Sequence, residues 1–350
     1  MADLAEGLAG WGYEVVLCGP SRPAGTSEDA AHVKLDLGRA IAPRRDLAAI
    51  AGLAKIVKEL KPGIVHAHSS KAGAIARLAR LARPGTPVLY SPHGYAFKGY
   101  FERERQRTAY RAIERSLAAL ASRVICVCEA EARAARAIGQ AARVRIVHNG
   151  IAAAAEGPVD PAVAGLAKTG PVVGALTLLR PGKGIETLID AVPGVLAGHP
   201  DAQVAIVGGG PGLEALRERA RLAGVAEAVH FLGPSSDPMG VLRGMDVFVH
   251  PSWAESFPYV VLEAMSLGRA IVASDVGGIG EAIVDGESGR LVAARDPEDL
   301  GRATIALLDD AQLRRRMGDA ARLRQLEEFT IDKMIEGTAA VYEEVVRAPG

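Results

Sequence analysis

Short apolar stretches alternate with longer amphipathic stretches along the whole chain. The apolar stretches are rich in Val and Ile, and the segments between them are rich in Ala, Leu and Arg with helical periodicity. Strands that are apolar throughout and separated by helices are typical of parallel sheets covered on both faces. The pattern therefore predicts two doubly wound α/β domains. The predicted strands are YEVVLCG, GIVHAH, TPVLYSPHG, SRVICVCE and VRIVHNG, then PVVGALTLL, AQVAIVGGG, AVHFLG, DVFVHPS and AIVASD.

The length of the chain also favours two domains. At 350 residues it exceeds the size at which a single hydrophobic core stops growing. We place the junction in the Ala-, Gly- and Pro-containing stretch from Ile151 to about Gly170. The prediction is an N-terminal domain over 1–155, a C-terminal domain over 165–328 and a long amphipathic helix within 329–350.

The N-terminal end departs from the usual order of a doubly wound domain. The segment Ala2–Trp11 has helical character, and the first predicted strand begins only at Tyr13. Such a domain normally opens with a strand and a Gly-rich turn before its first helix. The sequence thus predicts that this first strand and turn are missing, which would leave backbone groups of neighbouring strands unpaired.

Charge and composition exclude several classes of protein. Lys and Arg total 41 and Asp and Glu total 41, so no net charge attracts nucleic acid or anionic lipid. The chain shows neither a signal-peptide pattern nor an apolar run long enough for a transmembrane helix. We expect a cytoplasmic protein without a nucleic-acid partner. Peripheral attachment to the inner membrane surface stays open without support from the sequence, and the oligomeric state is not defined by it.

The cysteines and two histidines are interpreted as structural. Cys18, Cys126 and Cys128 are odd in number and lack the spacing of a disulfide framework. His66 and His68 alternate at the end of a predicted strand. The alternative, a metal site, would need further ligands nearby, and we predict none.

Candidate site residues concentrate after the strand DVFVHPS, which carries Glu255 to a loop at the carboxyl edge of the sheet. Open α/β sheets bind ligands at that edge. A helix is predicted over roughly Phe257–Leu267, with Glu263 about one and a half turns in. At the start of the helix, the backbone amides of Ser256 and Phe257 could bind hydroxyl or phosphate oxygens. An isolated pair of glutamates is more often a pair of surface residues, and only the neighbouring motifs favour a site.

These motifs resemble a known enzyme family. ESFPYVVLEAM followed by ASDVGGIGE resembles the E-x7-E signature of retaining glycosyltransferase family 4. The resemblance continues in VHAHSSKAGAIARLA, SPHGYAF, LLRPGKGIETLIDA and VGGGPGLEALRERA and covers nearly the whole chain. It implies a GT-B fold, in which two Rossmann-like domains face each other across a cleft and the C-terminal helix crosses back to the N-terminal domain.

The resemblance implies how a nucleotide-sugar donor is held. Glu255 would bind hydroxyls of the donor sugar, assisted by the amides of Ser256 and Phe257, and Glu263 would accept hydrogen bonds from the ribose. The other donor-binding residues that it implies are Gly208, Gly209 and Gly210 in the wall of the donor crevice, and Leu232 beside the base.

Two cations and one histidine complete the implied site. Arg180 and Lys183 would bind the diphosphate, whose negative charge grows as it leaves. The usual family spelling has its Arg five residues before the Lys, where this chain has Leu178, so Lys183 is the firmer assignment. His93, on the N-terminal side, would contact the donor sugar and the acceptor.

The resemblance therefore implies a retaining hexosyltransferase that moves a sugar from a nucleotide-diphosphate sugar, with UDP favoured, to a hydroxyl of a glycan or lipid-linked acceptor. No cofactor and no essential metal are expected, since Arg and Lys would take the place of Mg²⁺. One alternative is a nucleotide-sugar epimerase or a phosphorylase on the same fold. Another is an inactive, truncated nucleotide-sugar-binding protein.

Overall fold

The computed structural model describes residues 2–38, 41–98 and 104–347. The chain divides into two compact units. Unit 1 comprises Met1–Gly150 together with Ile331–Gly350, and unit 2 comprises Ile151–Thr330. Both are built of parallel sheets and helices, which confirms the predicted α/β class.

Unit 1 contains a two-stranded and a four-stranded parallel sheet, with strand orders β1-β2 and β3-β4-β5-β6. A doubly wound sheet of order 3-2-1-4 would hold its first strand between the strands that are β1 and β3 here. The separation agrees with the predicted absence of a first strand, which stays a prediction. The strands are β1 Val16–Gly19, β2 Ala31–Lys34, β3 Val65–His68, β4 Val88–Ser91, β5 Arg123–Cys126 and β6 Val144–Ile146. The helices are α1 Ala2–Gly10, α2 Pro43–Leu60, α3 Ser70–Ala79, α4 Glu104–Ser116, α5 Glu129–Ala135 and, at the C-terminal end, α14 Ile331–Arg347.

The C-terminal helix is part of the core of unit 1. Ile335 and Tyr342 of α14 pack with Leu8 of α1 and Leu89 of β4 in one apolar cluster. Glu344 binds two arginines from neighbouring strands, Arg123 of β5 and Arg145 of β6. The predicted C-terminal helix within 329–350 is thus observed as α14, and residues 348–350 lie outside the described part of the chain.

Unit 2 is a six-stranded parallel sheet of order β12-β11-β10-β7-β8-β9 with helices packed against it. Its core is formed almost entirely by Val, Ile, Leu and Ala side chains. The strands are β7 Val172–Leu176, β8 Gln203–Val207, β9 Val229–Gly233, β10 Val247–His250, β11 Ala270–Ser274 and β12 Arg290–Val292. The helices are α6 Pro161–Leu166, α7 Ile185–Gly198, α8 Leu213–Leu222, α9 Pro238–Arg243, α10 Tyr259–Ser266, α11 Ile279–Ala282, α12 Pro297–Asp309 and α13 Ala311–Glu328.

Two strands, β2 and β12, are not predicted by the hydrophobic pattern. β2 is partly or fully exposed along its length, so it lacks the continuous apolar run used to predict buried strands. β12 has three residues and lies at the edge of its sheet, which is too short for a periodic signal. Within the described ranges, no helix combines the length and the apolarity needed to cross a bilayer.

Candidate functional site

The strand order of unit 2 defines where a ligand is expected. β7 and β10 are neighbours, and the chain leaves them toward opposite edges of the sheet, β8 and β9 on one side and β11 and β12 on the other. At such a switch point the connecting loops diverge and open a crevice beyond the carboxyl ends of the strands. The loop after β7 carries Lys183, and the loop after β10 carries Glu255.

The turn around Lys183 is shaped by two glycines. Gly182 and Gly184 have φ of +90° and +69°, a region that favours glycine. A Cβ on Gly184 would lie 1.8 Å from the carbonyl oxygen of Pro251, so a larger residue cannot fit there. The loop after β10 is held against this turn by Trp253, whose N–H donates to the Gly182 carbonyl at 2.9 Å. The two loops are therefore fixed against each other at the turn that carries Lys183.

The Glu255 carboxylate is the centre of the site. Its Oε1 accepts from Lys183 Nζ at 2.5 Å and from Ser252 Oγ at 2.8 Å, and it lies 3.1 Å from His250 Nε2. Burial alone would raise the pKa of Glu255. The adjacent His250 and Lys183 outweigh that and lower it to about 2, so the group is ionised near pH 7. All three contacts are made by Oε1. The other carboxylate oxygen, Oε2, takes no part in them and can accept a hydrogen bond from a ligand hydroxyl.

Glu263 lies on α10 in a different environment. Desolvation raises the pKa of its carboxyl above the ordinary value. Among the described residues, neither a salt bridge nor a side-chain hydrogen bond to this carboxylate is found. A partly buried carboxylate with unused acceptor capacity is suited to bind the hydroxyls of a ligand.

The glycine run between β8 and α8 approaches protein rather than open space. Gly208 and Gly210 have φ of +140° and +156°. A Cβ on Gly208 would lie 1.8 Å from the Thr177 carbonyl oxygen, and a Cβ on Gly210 would lie 2.3 Å from that of Leu179. Gly209 accepts from the Leu179 N–H at 3.0 Å. The glycines thus let this turn close on the loop after β7, which shapes the wall beside Lys183.

The start of α10 differs from the prediction. Pro258 has an extended backbone and caps the helix, which begins at Tyr259 and not at Phe257. The Ser256 carbonyl accepts from the Gly278 N–H at 2.7 Å, and the Phe257 ring is buried against Phe329. The predicted amide donors of Ser256 and Phe257 therefore precede the helix, because proline in this conformation ends the loop before the first turn.

The remaining predicted donor residues occupy the same edge of unit 2. Arg180 is half-buried in the loop after β7, where its carbonyl accepts from the Lys183 N–H at 3.2 Å. Leu178, at the position where the family spelling has arginine, is 62% exposed. Leu232 is half-buried near the end of β9.

His93 belongs to unit 1 and follows β4. Its Nε2 lies 2.8 Å from Nδ1 of His68, a residue that sequence reasoning had interpreted as structural. Reasoning from sequence also missed that His250 and Ser252 bind Glu255. The available signal was H-P-S-x-x-E, in which a histidine, a serine and a glutamate lie within six residues at the end of one strand.

Profiles of known families match both units. The profile described as Glycosyl transferases group 1 matches residues 158–324, and the one described as Glycosyl transferase 4-like domain matches residues 1–150. The D-inositol 3-phosphate glycosyltransferase of Streptomyces avermitilis is 32% identical over 313 residues, which cover 82% of this chain and 67% of that protein. The chain belongs to the group 1 glycosyltransferases. The predicted family and enzyme class are confirmed.

Other relatives of this glycosyltransferase match over shorter stretches. The glycogen synthase of Mycobacterium tuberculosis is 34% identical over 207 residues, which cover 57% of the chain and 48% of that protein. The phosphatidyl-myo-inositol mannosyltransferase of Mycolicibacterium smegmatis is 39% identical over 138 residues, 39% of the chain and 35% of that protein.

Solved structures share the fold of this glycosyltransferase. Sucrose-phosphate synthase from Thermosynechococcus elongatus superposes with a TM-score of 0.83 at 23% identity, over 99% of the chain and 92% of that structure. HepE of Anabaena, in complex with UDP and glucose, gives a TM-score of 0.83 at 20% identity, over 98% and 94%. At these identities the likeness establishes the fold alone, and the predicted GT-B class is confirmed.

Proposed function

We propose that this glycosyltransferase moves a hexose from a nucleotide-diphosphate sugar, UDP-linked by preference, to a hydroxyl of a glycan or lipid-linked acceptor, with retention of anomeric configuration. The HepE structures that share the fold hold UDP, UDP and glucose, or UDP-glucose, which supports the choice of UDP. The relatives named for inositol phosphate and phosphatidyl-inositol acceptors support a polar hydroxyl as the group that is glycosylated.

The observation that carries the proposal is the ion pair of Lys183 and Glu255 at the switch point of unit 2. A glycosyl donor presents sugar hydroxyls and a diphosphate a few ångströms apart. The carboxylate of Glu255 is an acceptor for the hydroxyls, and the ammonium of Lys183 is a point charge for the diphosphate. The side chains are 15% and 12% exposed, so their electrostatic effect is screened less than on the surface.

Lys183 would supply positive charge where negative charge develops on the departing diphosphate. The structure supports this because the Gly182–Gly184 turn fixes the ammonium at the crevice before a ligand enters. We propose that transfer needs no metal, with Lys183 and Arg180 in that role. Activity that survives EDTA and is not increased by Mg²⁺ would support this, and activity that requires Mg²⁺ would contradict it.

Donor binding can be tested by thermal shift with UDP, GDP and ADP and their sugars. At a ligand concentration of 100 times Kd, the stabilisation is about 2.7 kcal/mol. At roughly 2–4 °C per kcal/mol, it would appear as a clear rise in Tm. We expect a rise with uridine ligands that is lost in Glu263→Ala. Glu214→Ala, an exposed helix residue of the same unit, serves as the matched control and should keep the rise. No rise with any nucleotide would contradict the proposal.

A transfer assay separates the alternatives on this fold. We expect release of UDP only when an acceptor with a free hydroxyl is present, and an axial or equatorial anomeric signal in the product that matches the donor. Conversion of the nucleotide sugar without an acceptor and without release of UDP would identify an epimerase. Release of a sugar 1-phosphate from a glycan in the presence of phosphate would identify a phosphorylase.

A further inference from the structure

Three histidines of unit 1 gather at the carboxyl ends of two neighbouring strands. His66 lies within β3, His68 is its last residue, and His93 follows β4. The rings of His66 and His68 have centroids 4.1 Å apart, and the rings of His68 and His93 are stacked at 5.2 Å with an interplanar angle of 15°. His68 is therefore in ring contact with both of the others.

Both ring nitrogens of His66 contact hydroxyl groups of the protein. Its Nδ1 lies 2.7 Å from the hydroxyl of Tyr342, and its Nε2 lies 2.9 Å from Oγ of Ser91. Burial lowers the pKa of His66 to about 3, so the ring is neutral. With both nitrogens engaged by hydroxyls of the fold, His66 supports the ring of His68 from behind.

The backbone is strained at His93 and at the residue that follows His68. His93 has φ of +51°, and Ser69, which follows His68, has φ of +85° and ψ of 154°. Non-glycine residues adopt these backbone angles at an energetic cost and persist in them only where the surroundings impose them. Strain of this kind concentrates at functional sites, and here it flanks one hydrogen bond between two histidines.

Hydrogen bonds hold both strained residues in place. The Ser69 N–H donates to the Ser91 carbonyl at 2.9 Å, which joins the ends of β3 and β4. The N–H of Gly94, next to His93, donates to Oε1 of Glu131, and the N–H of Val127 donates to Oε2 of the same carboxylate at 2.9 Å. Glu131 is buried, so it fixes the turn after β4 to the end of β5. The backbone of His93 is thus set from one side and its ring from the other, by His68.

The hydrogen bond between the rings determines how its proton is placed. Desolvation lowers the pKa of His68 well below its usual value and that of His93 in the same direction, so both rings are neutral near pH 7. One proton must lie between Nδ1 of His68 and Nε2 of His93, which are 2.8 Å apart.

Only two arrangements of that proton are possible. If His68 donates from Nδ1, both rings must be in the Nδ1–H form. If His93 donates from Nε2, both rings are in the Nε2–H form, which is the more stable form of a neutral imidazole. The second arrangement leaves Nδ1 of His93 as an unprotonated acceptor on an exposed side chain.

We propose that His68 is a positioning residue that holds His93 in its Nε2–H form, so that Nδ1 of His93 accepts a hydrogen bond from a hydroxyl of the sugar substrate. The substrate side of this inference rests on the proposed function. The His68–His93 contact itself does not. If Nδ1 of His93 carried a proton, as in a protonated imidazole, it would present a hydrogen to the hydroxyl and not a lone pair.

The experiment uses the full chain labelled with ¹⁵N-histidine and long-range ¹H–¹⁵N spectra between pH 6 and 8. His93→Gln identifies the His93 signals among those of the eight histidines. We expect one Nε2–H form in the wild type. In His68→Ala we expect a mixture of both forms, with the pKa of His93 closer to 6.5. In His68→Asn, whose amide oxygen can take the place of Nδ1, the single form should return. His199→Asn, in unit 2, is the matched control and should leave His93 unchanged.

Kinetics provide the second readout. We expect kcat for sugar transfer to fall at least about tenfold in His68→Ala, KM for the nucleotide sugar to stay within about twofold, and His68→Asn to recover most of kcat. An unchanged form of His93 in His68→Ala, or an unchanged kcat despite an altered form, would overturn the proposal. If the wild type binds no nucleotide and transfers no sugar, the proposed function fails, while the spectra still decide whether His68 sets the form of His93.

Discussion

At the scale of single residues, the Glu255 carboxylate shows how one group can be held and still stay usable. Lys183, Ser252 and His250 all approach the same oxygen, Oε1. If Lys183 turns to a phosphate, Ser252 and His250 still hold that oxygen. The geometry thus allows the lysine to exchange partners without releasing the carboxylate, provided that the diphosphate enters beside it.

Removing the ammonium tests this exchange. In Lys183→Met we expect kcat to fall by about 10²–10³-fold, in line with the loss of one electrostatic stabiliser of the transition state. Lys183→Arg should recover only part of this, because its planar fork does not reproduce a point charge. Steady-state kinetics measure the effect, with the exposed Lys168→Met as the matched control. A loss confined to KM would contradict a role in the transition state.

The low pKa of Glu255 predicts a pH dependence of stability. The folded-state pKa, about 2, lies below the ordinary value of 4.5, so the carboxylate stabilises the fold fully above pH 4.5. That contribution, on the order of 3 kcal/mol, is lost as the pH falls from 4.5 through 2. Unfolding free energies between pH 7 and 3 should fall more steeply for the wild type than for Glu255→Gln. Parallel curves would show that the carboxylate is not held as described.

The sequence predicts individual site residues better than it predicts their partners. Glu255 and Lys183 each follow an apolar strand, and the resemblance to the family is what points to them as site residues. Their direct contact was not predicted, because they are 72 positions apart and the chain between them carries no signal of which loops meet. The contact of His68 with another histidine was not predicted for a related reason. Its partner, His93, is 25 residues away, and only the pairing of β3 with β4 brings them together.

At the scale of elements, tight turns decide the site more than helices and strands do. The strands of unit 2 follow from their apolar runs, and β12 is the exception that is too short to detect. The start of α10 shifts to Tyr259 because Pro258 takes an extended backbone and not a helical one. Proline is compatible with either conformation, so the sequence alone could not choose between them.

A single methyl group at Gly184 should disturb the site more than it disturbs the rest of the fold. In Gly184→Ala, the Cβ would lie 1.8 Å from the Pro251 carbonyl oxygen at a φ of +69°, so the turn that carries Lys183 must move. We expect a stability loss of about 2–4 kcal/mol and weaker nucleotide binding. Chemical denaturation and thermal shift measure both.

The matched control is Gly194→Ala in α7, where nothing lies within 4 Å of the added Cβ. There we expect no loss, or a gain of up to about 1 kcal/mol, because alanine favours a helix. Equal losses in the two variants would contradict the importance of the turn.

At the scale of the whole molecule, unit 1 is assembled from two separate parts of the chain. Residues 331–347 complete its core, since Ile335, Tyr342 and Val345 lie in one cluster with Leu8 and Ile125. Unit 2 has its own core, built from one continuous segment. Residues of the C-terminal helix are therefore not part of that core.

Truncation after Thr330 should separate the stabilities of the two units. Without α14, the apolar cluster around Leu89 is exposed, and Arg123 and Arg145 lose their ion pairs with Glu344. We expect calorimetry to show that the transition of unit 1 is lost or moves to much lower temperature. The transition of unit 2 should persist and still rise with UDP. A single cooperative loss of both transitions would contradict the independence of unit 2.

The two ends of unit 2 are adjacent to each other. Ile151 forms a bridge with Thr330, and its N–H donates to the Phe329 carbonyl at 3.0 Å. A segment that enters and leaves at one point can be exchanged as a cassette. Chimeras cut at these two positions would give unit 1 the corresponding segment of another group 1 glycosyltransferase without redesigning either core.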